Sequence, residues 1–176
     1  MAIRPIVVWP ETVLKEPCED VTSFDGALRD LARDMVETMY DAPGVGLAAN
    51  QIGVPLRFVV IDCRTGEEDQ GKGLIQAANP EILEMEGEQA EDEGCLSFPG
   101  LTETIARPGR VRVRYQDLEG QWVESEGTGL LARAWCHEVD HISGRTILHR
   151  LSAIKRELMR RRIRKLVKTG EWKRST

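Results

Sequence analysis

The 176-residue chain is as informative in what it lacks as in what it holds. No apolar run approaches the roughly 20 residues that a membrane-spanning helix needs. The apolar patch in the opening "MAIRPIVVWPETVLKEP" is soon broken by proline and charge. No small-residue cleavage signal follows it, so the start reads as mature protein and a cytoplasmic location follows by default. No C-x-x-C pair occurs among the four cysteines Cys18, Cys63, Cys95 and Cys136. Without an export signal these are expected as thiols or metal ligands rather than disulfides. There is no internal repeat and no long low-complexity linker, and the length suits one domain spanning 1–176 with a real core. Histidine is scarce, with three in all.

What is present is ordinary in bulk and uneven in distribution. Apolar residues make up 41% and charged residues 30%, as in a typical globular protein. The net charge of −5 conceals an acidic body, −14 over residues 1–149, and a basic tail, +9 over residues 150–176.

The periodicities predict an α+β fold. Leu28, Leu31, Met35 and Met39 recur on one helical face, with Ser23 as the expected N-cap and Pro43-Gly44 as the stop. "GVGLAANQIGV" reads as a glycine-rich loop leading into a strand at "LRFVVID". "RTGEEDQGKG" reads as a polar turn. Short strands are expected at "LIQAAN", "EILEME", "TETIAR", "RVRVRYQD" and "WVESEG", and the acidic run "EMEGEQAEDEG" as a solvated loop. In the fourth of these, Val111, Val113 and Tyr115 alternate with arginines, as in a half-buried antiparallel strand. A helix is predicted from Leu130 to about Ser143, closed by Gly144. A last helix is predicted from about Ser152 to Lys168, with the apolar stripe Ile154, Leu158, Ile163 and Leu166. The architecture expected is antiparallel or mixed sheet packed around the central helix, with an N-terminal and a C-terminal helix besides.

That central helix carries "AWCHEVDHISG", an H-E-x-x-H string. Four residues apart on a helix, His137 and His141 project from one face and can share a small cation. Glu138, beside the first of them, is placed to act on a water at the cation rather than to bind it. Two surface histidines with a solvated glutamate would be the plain alternative. A hydrolytic site needs a third protein ligand. A metzincin-type protease would need a histidine where Ile147 stands, and His149 comes two residues too late. A thermolysin-type protease would need a glutamate, and Glu157 has no supporting motif. Cys95, in "EGCLSFPG", is the other option, since thiolate is a strong ligand for Zn2+ or Fe2+. A lone cysteine is more often a small buried hydrophobe, as expected for Cys18, Cys63 and Cys136. On the same helix, Leu130, Arg133 and Ala134 lie one to two turns before His137. They are expected to wall a substrate pocket, Arg133 by its aliphatic stem with its head reaching water.

Three stretches, "GVGLAANQIG" (44–53), "EGCLSFPG" (93–100) and "HEVDH" (137–141), together resemble the signature motifs of the peptide deformylases in order and spacing, and the resemblance extends over nearly the whole chain. It implies a hydrolase of protein biosynthesis that removes the formyl group from the N-terminal formylmethionine of nascent proteins. It implies Cys95, His137 and His141 as ligands of one divalent metal ion and Glu138 as the general acid/base. Gln51, by its side-chain amide, and Leu96, by its backbone N–H, would stabilise the oxyanion. Val45, Gly46 and Gly94 would flank the substrate and the bound methionine side chain would meet Leu130, Arg133 and Ala134. Glu93 and Arg107 match a structural ion pair of the family. Fe2+ is implied as the physiological ion, with Zn2+, Ni2+ or Co2+ as substitutes. Asn50 stands where the family usually has threonine, and Cys136 where a glutamine commonly precedes the first histidine. An H-E-x-x-H metallopeptidase and a non-catalytic metal-binding relative are the rival readings.

The tail supports three readings. It is a docked helix with a basic solvated face, a membrane-surface helix, or an RNA contact. The second is disfavoured, because Trp172 is the only aromatic there. The resemblance implies docking of this helix on the ribosome near the nascent-chain exit, by a monomer.

Overall fold

The structure, a computed structural model, describes residues 2–64 and 72–173. Most of the polar turn expected at 64–73 lies outside the described residues.

The first helix, α1 (Gly26–Asp41), presents buried Leu28, Met35 and Met39 to the core, with Leu31 half-buried beside them. Its N-cap is Asp25 rather than Ser23: the Asp25 carboxylate accepts the Leu28 N–H at 3.2 Å. A carboxylate in this position is a charge-assisted acceptor and also suits the positive end of the helix.

The glycine-rich segment is more ordered than a loop. It forms the short strand β1 (Gly46–Ala48) and then a 3-10 turn over Ala49–Ile52. β2 (Phe58–Ile61) is buried at every position, as its run of apolar residues requires. The two strands expected at 74–79 and 81–86 are one strand, β3 (Ile75–Glu86). It continues through Pro80 because a register shift against the strand at Arg110–Gln116, between Ala78 and Glu81, absorbs the residue that cannot donate to the ladder. Asn79, at φ 51°, bonds to Val21 on both its backbone groups and to Gln116, which holds the irregularity in place.

The acidic run is also a correction. It closes β3, turns at Gly87 and becomes β4 (Gln89–Gly94), which pairs with β5 (Thr102–Arg107) as a separate two-stranded sheet. β6 (Arg110–Gln116) and β7 (Trp122–Thr128) complete a five-stranded antiparallel sheet of order β1-β2-β3-β6-β7. On its polar face Arg110, Arg112 and Arg114 alternate with buried Val111 and Val113. These arginines pair with glutamates of β3 and β7, so the solvated face is an ion-pair ladder.

α2 (Gly129–Ile142) lies against this sheet through Leu131, Ala132, Trp135, Cys136 and Ile142, and Gly144 (φ 78°) ends it. α3 (Ala153–Lys168) is capped by Ser152, whose hydroxyl accepts the Lys155 N–H. Its expected stripe is only half right. Ile154 and Leu158 are 76% and 51% exposed, and the buried residues are Met159 and Ile163. The helix is therefore turned relative to the predicted face, because Trp172 folds back and donates its indole N–H to the Trp9 carbonyl. The third core cluster forms there, from Trp9, Phe98, Met159, Ile163 and Trp172.

Candidate metal centre

The H-E-x-x-H string occupies the C-terminal turns of α2, where helix geometry stacks His137 and His141 with ring centroids 4.8 Å apart. Their Nε2 atoms approach to 3.1 Å. Cys95 reaches them from the turn after β4, its Sγ lying 3.2 Å from His141 Nε2. The three ligand atoms lie within 4.8 Å of one another, and both histidines are buried. Two ring nitrogens and a sulfur crowded into one buried point are satisfied together by a cation. One soft thiolate and two imidazoles suit Zn2+ or Fe2+ and not a hard oxygen-seeking ion. The donor set thus fits one divalent metal.

His137 is oriented from behind. Glu93 Oε2 lies 2.7 Å from His137 Nδ1, which directs the other ring nitrogen toward the centre. Glu93 is gripped in turn by Arg107 through two hydrogen bonds, of 3.1 and 2.7 Å. Arg107 also bonds Asp140, one residue before His141, and Asp140 bonds Arg150. The expected Glu93–Arg107 pair is therefore the middle of a buried chain running from His137 to Arg150. Asp140 and Arg150 were not singled out in the sequence. Asp140 could have been, as the one charged residue of α2's last turn on a buried face. His141 Nδ1 has no partner among the described residues.

The first motif is built onto the same helix. Asn50 donates to the His141 carbonyl at 2.7 Å, so the departure from threonine provides an amide strap to the end of α2. Gln51 accepts the Ala48 N–H at 2.9 Å through its side-chain oxygen. That fixes the orientation of its amide, whose NH2 group points at Ser97 Oγ (3.2 Å) and Cys95 Sγ (3.7 Å). Ser97 is a further contributor that the sequence did not reveal. Cys18, Cys63 and Cys136 are buried with burial pushing each thiol up to about 11, in keeping with small core residues.

Glu138 is buried beside Gly46. A Cβ at position 46 would lie 2.6 Å from Glu138 Oε1 and 3.1 Å from its Cγ and Cδ, so only glycine leaves this carboxylate its place. Burial pushes the Glu138 carboxyl up to about 7, although the neighbouring His137 works against the rise. A carboxyl poised near neutrality can both take and return a proton. Burial disfavours charge on both histidines. His137 is nonetheless raised well above the ordinary value by Cys95 and Glu93, and His141 is lowered by burial and by charge on His137.

A cavity of about 700 Å³ opens in front of this group. Val45, Gly46, Gly94, Leu96, Leu130, Arg133 and Ala134 all line it, together with Gln51, Cys95, His137 and Glu138. The Arg133 head departs from expectation. It donates to Gln89 Oε1 at 2.8 Å instead of reaching only water, and Gln89 is anchored on the Pro108 and Gly129 carbonyls.

Residues 3–157 match the protein family described as polypeptide deformylase. A peptide deformylase of Acidobacterium capsulatum is 50% identical over 172 residues, covering 98% of this chain and all of that one. Among solved structures, a peptide deformylase from Legionella pneumophila superposes with a TM-score of 0.87 at 43% identity, covering 96% of this chain and 98% of that one. The Ehrlichia chaffeensis enzyme in complex with actinonin gives the same TM-score at 36% identity, over 94% of this chain and 98% of that one. A thiol and two helix-borne imidazoles set around one point, and a buried carboxyl in the cavity before them, stand in a chain that belongs to the polypeptide deformylase family.

Proposed function

We propose the following division of labour for the reaction of this enzyme, the removal of the formyl group from N-formylmethionyl peptides with release of formate. Cys95, His137 and His141 hold one divalent ion, Fe2+ in the cell and replaceable by Zn2+, Ni2+ or Co2+. When bound, the ion supplies Lewis acidity and makes a nucleophile of water near neutral pH. Glu138 accepts the proton as the water oxygen bonds to the formyl carbon. The carbonyl oxygen, taking up negative charge, is met by the Gln51 side-chain N–H and the Leu96 backbone N–H. Glu138 then delivers the proton to the amide nitrogen as the C–N bond breaks, leaving formate and a free N-terminal methionine. Val45, Gly46 and Gly94 flank the peptide, and the methionine side chain packs on Leu130, Ala134 and the stem of Arg133.

The observation that carries this reading is the Gln51 amide. Its oxygen is occupied by the Ala48 N–H, so its N–H groups face Cys95 across the cavity. A pure metal binder needs no such donor, a metzincin-type peptidase would need a ligand that Ile147, buried in the third core cluster, cannot supply, and Glu157, the thermolysin-type candidate, pairs with Arg161 and Arg164. Anaerobic incubation with Fe2+ or Ni2+ and formyl-Met-Ala-Ser should release formate. Glu138→Ala should abolish turnover with the metal retained; loss of the metal as well would contradict the role given to Glu138. Absence of formate from metal-loaded protein would contradict the whole assignment.

The whole chain, 1–176, acts as one catalytic domain, monomeric and cytoplasmic. Its basic tail, from residue 150 onward, docks on the ribosome, where the formyl group emerges. The dense charge of "RELMRRRIRKLVK" supports this, since rRNA is a polyanion.

A further inference from the structure

A second concavity, of about 290 Å³, shares no lining residue with the catalytic cavity. Three separate segments build it. Trp9 and Lys15 come from the N-terminal stretch, Leu148 and His149 from the 3-10 turn after α2, and Arg156 and Arg160 from α3. Gly144 closes it where a side chain has no room: a Cβ there would lie 2.8 to 3.0 Å from the backbone of Lys15 and Glu16.

The polar chemistry of this hollow has one sign. Its lining holds three full cations and no acid. Among the described residues, Lys15, Arg156 and Arg160 make no ion pair, although most arginines on this protein do. Glu157, one turn before Arg160 on α3, pairs with Arg161 and Arg164, although its charge also reaches Arg160. Arg156 is fastened by two carbonyls, its Nε to Leu148 and one Nη2 hydrogen to Leu151, which leaves further N–H groups of a fixed fork unused. His149 accepts the Thr146 N–H on Nδ1 at 3.0 Å. A ring nitrogen that accepts has no hydrogen, so the proton of the imidazole resides on Nε2, and His149 too is a donor on its other side. Lys15 Nζ stands 5.6 Å from the Trp9 ring centroid, so the aromatic wall steadies a cation at the rim.

We propose that this hollow is a binding site for a phosphate group. Its donors are positive or neutral N–H, with Arg156 held in advance, and they call for a ligand that only accepts. A tetrahedral oxyanion with several oxygens uses a lysine, two arginine forks and a ring N–H together. The volume exceeds that of a bare phosphate and leaves room for the rest of a phosphate ester. The proposal is independent of the deformylation chemistry.

Residue-resolved NMR on the metal-loaded protein tests it. Inorganic phosphate is titrated at constant ionic strength, and the Trp9 indole and His149 ring resonances are followed, so that phosphate meeting the metal is read separately. Saturable shifts at both are expected. Lys15→Gln with Arg160→Gln, two side chains that make no hydrogen bond or ion pair among the described residues, should weaken binding by about tenfold or more, because each lost contact is charge-assisted. Lys15→Arg with Arg160→Lys should retain it. A short RNA that competes for the same resonances identifies nucleic acid as the phosphate source; competition by a sugar phosphate and not by RNA identifies a small ester. Absence of saturable shifts, shifts that chloride at the same ionic strength reproduces, or shifts unchanged in the Gln variant overturn the site.

Discussion

Glu138 illustrates how little room the chemistry leaves at single residues. Its carboxyl is buried against a position where any Cβ would fall 2.6 Å from Oε1. Gly46→Ala should therefore displace the carboxylate without unfolding the protein. Formate release should fall by about 10²-fold, the lower range for losing general acid/base catalysis, with circular dichroism and metal content unchanged. Gln51→Leu keeps the volume and removes the donor facing Cys95. It should lower kcat by about 10²- to 10³-fold, with KM little changed, if the amide acts only on charge that develops in the transition state. A rise in KM alone would assign it to ground-state binding.

At the scale of elements, the β4–β5 hairpin and α2 are riveted by Glu93, Arg107 and Asp140. The Arg107 side chain is 3% exposed, so these charges are effectively out of water. Removing one partner strands the others, and Arg107→Leu should destabilise the fold by about 3–5 kcal/mol in urea melts. It should also loosen His137 and lower metal affinity by about 10- to 100-fold. Burial alone would raise the Glu93 carboxyl, but the hydrogen bonds from His137 and Arg107 outweigh it and hold it at about 2. A pKa lowered by folding stabilises fully above the unfolded value, near 4.5, and the contribution is lost as pH falls toward 2. The metal-free protein should lose a few kcal/mol over that window, and Glu93→Gln should flatten the loss.

For the molecule as a whole, the basic C-terminal helix is part of the core as well as a charged surface. Met159, Ile163 and Trp172 are buried in the cluster that also holds Phe98, three residues after Cys95. Cutting the chain after Arg150 should cost about 5 kcal/mol or more, taking roughly 1.5–3 kcal/mol for each buried side chain, and should lower Tm sharply. Ribosome docking is better tested by reversing exposed charges such as Arg161 and Arg162, which lie outside that cluster. Co-sedimentation at low salt should fall while turnover of short formyl peptides stays unchanged. No helix among the described residues is long and apolar enough to cross a membrane, and Trp172 is turned inward, so it is no interfacial anchor.

Local geometry made much of this legible before any coordinates. The i, i+4 spacing of His137 and His141 is a property of one helix, and so is the neighbouring Glu138, because short-range backbone geometry decides both. α1, α2 and the alternation in β6 were readable for the same reason. Cys95, 46 residues from His141, was one option from its thiol chemistry, and Gln51, 44 from Cys95, became a candidate only through resemblance, since no periodicity links such distant residues. The failures share one cause. The acidic run became β4 because β5 offered it a partner, and β3 passed through Pro80 because a register shift absorbed it. α3 turned a different face inward because Trp172 folds back to Trp9. The sequence by itself determined that one helix presents His137 and His141 from one face with Glu138 beside them. Only the tertiary structure decided what stands behind them: Glu93 on His137, Asn50 on the end of α2, and the gap beside Gly46 that Glu138 fills. Those are contacts between separate elements, and their distances are set by packing rather than by position along the chain.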